Sequence, residues 1–214
     1  MNYKKSPIIR DGCFIAVPFV IVAAILFWLD YMVTGIVVLS PGLFALWFFR
    51  NPERTPPEGE KSVVSPADGR VLSVEKVTEN DLISGSFYKI SIFMSVFNVH
   101  VNRAPCSGTI RGIRYREGKF FSANLDKASV YNERNSVLIE TPEGVPVLTI
   151  QIAGIIARRI VCWNSEGDGI SRGDRFGMIR FGSRLEVFLP ESSEVTVEKG
   201  DTVRAGETVI GRIR

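Results

Sequence analysis

Apolar positions along this 214-residue chain fall into two regimes. From Cys13 to Leu29, and again from Tyr31 to Phe49, the chain runs 17 and 19 residues without a charge, parted only by Asp30. About 20 mostly apolar residues span a bilayer as a helix, so each run predicts a helix near the lower limit of that length. Signal-peptide cores are shorter and end at a small-residue cleavage site, and no such site precedes the second run. A lone carboxylate is costly in hydrocarbon but not at headgroup level, so Asp30 marks the tip of a hairpin. Pro18 and Pro41 stand inside the runs and leave a kinked, re-entrant form open beside a spanning one.

The segment NPERTPPEGEKS (51–62) carries three prolines and five charges, offers nothing to bury, and reads as a linker. Beyond it the pattern changes to short alternating runs punctuated by Gly, Asn and Asp, with no long helical period. Strands are predicted at 69–77, 88–95, 98–102, 109–115, 136–140, 145–153, 155–163, 177–180, 184–189, 194–197 and 208–213, with a tight turn at Pro142-Glu143-Gly144. Residues 193–213 are similar in style to the half-barrel of biotinyl and lipoyl carrier domains. The expected fold is mainly β: a barrel-sandwich-like β domain over 63–214, behind a hydrophobic helical hairpin over 1–50.

Charge narrows the partners. The net charge is only +3, and no concentrated basic face of the kind nucleic-acid binders carry is evident, so no nucleic-acid partner is expected. Lys4, Lys5 and Arg10 flank one end of the apolar region and Arg50 and Arg54 the other. The positive-inside tendency then puts both ends, and the domain, on the cytoplasmic face of the cell membrane. Cys13, Cys106 and Cys162 are too far apart for a metal pair or a disulfide framework, and read as small apolar residues in a reducing compartment. One histidine excludes a histidine-based zinc site and any two-histidine acid–base pair, and no metal is expected.

Candidate chemistry is sparse. Asp68 lies in the turn SPADG. His100 lies in the alternating run FNVHVNRAP, facing the same way as Asn98 and Asn102. Ser183 follows Gly182 in FGS, without the G-x-S-x-G of a hydrolase elbow. Arg103, Arg114, Arg116, Lys119, Arg158, Arg159, Arg172, Arg175 and Arg180 read mostly as a solvated face. Asp, His and Ser make a triad conceivable, but nothing in the spacing brings them together.

SPADG (65–69), NVHVNRAP (98–105) and FGS (181–183), in this order behind a hydrophobic leader, resemble phosphatidylserine decarboxylase in its short bacterial and archaeal form. The resemblance covers essentially the whole chain. It implies a zymogen that cleaves itself between Gly182 and Ser183 into a β chain of 1–182 and an α chain of 183–214. His100 would act as general base and acid, with Asp68 orienting it. Ser183 would attack the carbonyl of Gly182 and become a pyruvoyl cofactor, the Schiff-base site for the phospholipid amine. Arg103 would hold the lipid phosphate. The implied reaction is decarboxylation of phosphatidylserine to phosphatidylethanolamine. The implied assembly is a membrane-bound heterodimer of the α and β chains, alone or in a higher oligomer. Two alternatives stand: an archaetidylserine decarboxylase of the same family, and a membrane-tethered biotinyl- or lipoyl-like carrier domain.

Overall fold

A computed structural model describes residues 6–59, 61–80, 82–122, 131–154, 159–180 and 182–214. Lys4, Lys5, Arg158, Phe181 and the 155–158 part of one expected strand lie outside the described residues. The chain divides into two compact units, Met1–Glu53 and Arg54–Arg214.

In the first unit, α1 (Arg10–Trp28) and α2 (Met32–Phe48) form the expected hairpin, with Pro18 and Pro41 inside the helices. Asp30 makes the reversal at φ 63°, a left-handed conformation that Asp tolerates better than most residues. The helices touch through small residues. A Cβ on Gly35 would stand 2.3 Å from the Phe27 ring, so only glycine allows this approach. The outer faces stay apolar and exposed, including Phe14, Ile21, Trp28, Val33 and Ile36. α1 is long and apolar enough to cross a membrane, while α2, at 17 residues, is shorter. Near the hairpin's base, the Arg10 guanidinium lies 4.8 Å from the Phe14 ring centroid and that of Arg50 4.0 Å from Trp47.

The described strands of the second unit are β1 (Ser62–Val64), β2 (Gly69–Asn80), β3 (Ile83–Met94), β4 (Val101–Arg103), β5 (Gly108–Arg116), β6 (Arg134–Glu140), β7 (Pro146–Ala153), β8 (Ile160–Cys162), β9 (Gly169–Ile170), β10 (Arg175–Ile179), β11 (Ser183–Pro190), β12 (Glu194–Val195), β13 (Thr202–Val203) and β14 (Val209–Arg212). Eight form one curled antiparallel sheet in the order β13-β2-β3-β11-β7-β6-β5-β9, and β1-β14-β12 and β4-β10-β8 form two small ones. Alternation along β11 sorts its side chains. Leu185, Val187 and Leu189 join the main core with Ile90, Ile92, Val137 and Ile139, and residues of both small sheets close over it. Phe188 turns to a second cluster with Leu148, Ile150 and Ile152 on the opposite face.

Three expectations need correction. The run 98–102 is a strand only from Val101, because the Asn98 side chain accepts hydrogen bonds from Ser95 N and Oγ (2.9 and 2.8 Å) and closes a turn. The 51–62 segment does bury a side chain: Arg54 is 8% exposed, paired with Asp68. Arg172 also donates to the carbonyls of Pro57, Gly59 and Ser62, fastening that segment to the domain. Finally, Cys13 is exposed on α1, while Cys106 is buried.

Candidate active site

The three motifs meet at one end of the large sheet. β2 begins just after Asp68, β3 ends at Met94 and β11 begins at Ser183. Ser183 is paired with Met94 on one side and Ala153 on the other, and is fully buried. Gly182 precedes it at φ 60°, where no neighbour would meet a Cβ, so the backbone conformation alone calls for glycine.

Ser183 Oγ donates to the Met94 thioether at 3.4 Å. The same sulfur accepts from Asn102 Nδ2 at 3.7 Å. Asn102 Oδ1 in turn accepts from Gln151 Nε2 at 2.8 Å, and Gln151 Oε1 from Asn135 Nδ2 at 3.0 Å. All five side chains are buried. Buried amides hold firm geometry only when their donors and acceptors are paired, and this chain pairs them toward the serine. Sequence reading placed Asn102 beside His100 but missed Met94, Asn135 and Gln151. The available signal was a polar residue at an inward position of an apolar strand, as at Gln151 in β7.

His100 is buried one residue before β4, and the β4–β10 register pairs Val101 with Met178. The His100 Nδ1 lies 3.0 Å from the Asn98 carbonyl oxygen. A carbonyl only accepts, so Nδ1 donates this bond and carries a proton.

Asp68, the residue expected to orient His100, makes contacts of its own. The Asp68 carboxylate is occupied elsewhere, with Arg54 reaching it through two nitrogens at 2.7 and 2.9 Å and Ala205 N at 2.8 Å. Arg103 is 4% exposed, and its Nη1 donates to the Gly173 carbonyl at 2.8 Å. On the sheet face away from Ser183, Arg184 Nε lies 3.1 Å from Glu186 Oε1 and Nη2 donates to Ser91 Oγ at 2.9 Å, a buried pair under the strand.

A cavity of about 570 Å³ lies at the opposite end of the sheet, lined by Lys61, Cys106, Thr141, Glu143, Arg172 and Arg214. Burial pushes the Cys106 thiol up to about 12, which leaves it inert there. No cluster of three metal-ligating side chains occurs among the described residues.

The β domain thus carries a left-handed glycine ahead of a buried serine, and the one histidine of the sequence is buried in the same domain. A family model for phosphatidylserine decarboxylase matches residues 42–211. A phosphatidylserine decarboxylase proenzyme of Syntrophus aciditrophicus is 51% identical over 96% of this chain and 97% of its own length. Proenzymes of the same name from Desulfotalea psychrophila and Ruegeria pomeroyi are 44% identical over 100% of both chains and 50% identical over 92% and 90%. The chain belongs to the phosphatidylserine decarboxylase family and is an enzyme of the decarboxylase class. The carrier-domain alternative falls with this finding.

Proposed function

We propose that this chain decarboxylates phosphatidylserine to phosphatidylethanolamine, after cutting itself between Gly182 and Ser183. The observation that carries the reading is the junction itself, a left-handed glycine whose carbonyl is followed by a buried hydroxyl at the first position of a central strand. His100 Nε2 takes the Ser183 hydroxyl proton while Oγ bonds to the Gly182 carbonyl carbon. The peptide C–N bond then breaks, the nitrogen gains a proton, and an ester joins the two residues. Loss of the Ser183 Cα proton expels the ester oxygen, leaving a carboxylate on Gly182 and a dehydroalanine at 183. Water replaces its nitrogen, ammonia leaves, and a pyruvoyl group remains.

The residues present fit such a group. The segment after Gly182 stays paired along both edges of β11, and the buried Met94 and Ala153 flank position 183. When formed, the pyruvoyl ketone supplies the electron sink for loss of CO₂ from the serine headgroup. His100 Nε2 holds the proton that the product carbon takes up. With Asp68 bound to Arg54, His100 works from its tie to Asn98.

The hairpin over 1–50 is the membrane anchor and 51–62 the connection to the catalytic domain over 63–214. Arg10 and Arg50, each stacked on an aromatic ring at the hairpin's base, suit a headgroup-level position on the cytoplasmic side. A diacyl substrate stays in the bilayer, so tethering raises its local concentration.

Intact mass of the purified full chain tests the reading. Two products are expected, one ending at Gly182 and one beginning with a blocked residue 183, together with release of phosphatidylethanolamine from phosphatidylserine micelles. A chain that stays at full length while active, or an active Ser183→Ala variant, contradicts it.

A further inference from the structure

The described residues of the second unit carry four large apolar side chains that are exposed: Phe97 (67%), Tyr115 (54%), Phe120 (37%) and Tyr131 (57%). All four stand at the same end of the large sheet as Ser183. Phe97 lies in the turn that follows the end of β3 at Met94, the register partner of Ser183. Tyr115 lies at the end of β5, where Arg116 pairs with Arg134 at the start of β6. Phe120 and Tyr131 lie on segments joined by the Lys119–Asn132 bridge. Buried Asn132 roots these two segments beside Ala153. Its Nδ2 donates to the carbonyls of Phe121 (2.8 Å) and Ala153 (2.7 Å), and Ala153 is the other register partner of Ser183.

Charge gathers at the same end. Arg114, Arg116, Lys119 and Arg159 are exposed there, with Arg134 and Arg180 half-buried; Glu117 is exposed and Glu133 buried. Arg180 N donates to the Arg159 carbonyl, which sets both beside the turn into Ser183. Scattered apolar side chains on a protein surface are ordinary, but these are gathered at one end. Aromatic rings with a surplus of Arg and Lys around them match the two layers of an anionic membrane surface, the ring level and the phosphate level.

We propose that the Ser183 end of the β domain is itself a membrane-docking face, with Phe97, Tyr115, Phe120 and Tyr131 entering the headgroup layer and Arg114, Arg116 and Lys119 engaging anionic lipid. This contact is separate from the hairpin's anchoring and sets the reacting end against the bilayer. The docking rests on the positions of these side chains. Only its consequence for catalysis rests on the proposed chemistry, so a chain unable to cleave docks all the same.

The test uses the full chain, carrying Ser183→Ala, in nanodiscs of phosphatidylcholine with or without 30% phosphatidylglycerol. Cys13→Ser and Cys162→Ser leave only buried Cys106, and an environment-sensitive dye is attached at Phe97→Cys or, as a control, at Glu143→Cys on the far turn. Dye emission at position 97 should shift to the blue and be quenched by spin-labelled lipid in the anionic discs, while position 143 reads as water. Each basic residue near an anionic surface strengthens attraction by roughly five-fold. Arg114→Glu, Arg116→Glu and Lys119→Glu together should therefore abolish most of the shift, as should 1 M salt. Unshifted emission at 97, equal shifts at 97 and 143, or a shift indifferent to the charge reversals overturns the proposal. Decarboxylation is measured separately on the chain with Ser183 restored, so a failure of docking and a failure of the chemistry remain distinguishable.

Discussion

Replacing Arg54 with Met should destabilise the β domain by about 3–5 kcal/mol, the range for leaving one member of a buried ion pair uncompensated. The geometry puts this pair in that class. Arg54 and Asp68 side chains are 8% and 12% exposed, and two nitrogens of Arg54 meet the two oxygens of Asp68 at 2.7 and 2.9 Å. Without the guanidinium, the carboxylate keeps only the Ala205 amide at 2.8 Å, in a site largely shut to water. Asp68→Leu should cost somewhat less, because the guanidinium keeps the Ala205 carbonyl at 3.0 Å and Glu207 at 3.9 Å. The double variant Arg54→Met/Asp68→Leu removes both charges but leaves the Ala205 amide unpaired, a cost of about 1–3 kcal/mol. It should therefore be clearly more stable than the two single losses added together, with a coupling of at least about 2 kcal/mol. Denaturant unfolding of the full chain in detergent would measure this on a Ser183→Ala background that keeps the chain whole. Trp28→Phe and Trp47→Phe would leave Trp163 as the reporter. Single losses under about 1 kcal/mol, the range of exposed ion pairs, would refute the claim that the pair clasps the domain. So would strict additivity in the double variant.

Three further outcomes follow from the site. His100→Ala should leave the chain at full length by intact mass, and normal cleavage in that variant would remove His100 as the base. Gly182→Ala has room for its methyl group but must hold φ 60°, at a cost of about 1–2 kcal/mol; it should slow cleavage in a timed gel series, and an unchanged rate would show that the left-handed turn is not used. Cys106, with its thiol raised to about 12 by burial, has a thiolate fraction near 10⁻⁴ at pH 8, against roughly a quarter for an ordinary thiol. Iodoacetamide at pH 8 should therefore label Cys13 and Cys162 long before Cys106 in peptide mass spectra, and raising the pH to 9 should speed Cys106 about tenfold while leaving its thiolate fraction only near 10⁻³.

The hairpin could be read from the chain because two uncharged runs with one carboxylate between them admit few structures. The long strands could be read because alternation over seven or more residues leaves a core face and an outer face, as in β11. β1, β9 and β13 could not, being two or three residues long and set by their neighbours' register rather than by a pattern of their own. The site was half legible. Gly182-Ser183 and His100 stood out as motifs, but the His100 ring bonds the Asn98 backbone, and a main-chain acceptor leaves no mark in side-chain types. The Arg54–Asp68 clasp was hidden for another reason. A segment rich in proline and charge reads as solvated, and only the fold reveals that one of its arginines is buried.

Cleavage after Gly182 need not loosen the domain, because the bond that breaks lies outside the ladders that hold the fragment. β11 starts at Ser183 and pairs from its first residue, eight positions with β3 and six with β7. Downstream, β13 pairs with β2, and β14 with β1 in a second sheet, so residues 183–214 are bound to the rest through two further strands, while β12 pairs with β14 inside the fragment. Leu185, Val187, Leu189, Val203 and Ile210 are at most 1% exposed. At about 1.5–3 kcal/mol for each fully buried side chain of this size, these five alone contribute on the order of 10 kcal/mol of apolar contact. The fragment beginning at residue 183 should therefore co-elute with the 1–182 fragment in gel filtration at nanomolar dilution and in 1 M salt, and separate only in denaturant that also collapses the β signal in circular dichroism. Loss of the small fragment on dilution alone would mean that the β11 ladders do not outlast the cut, and that the cleaved enzyme is held together by something other than this sheet.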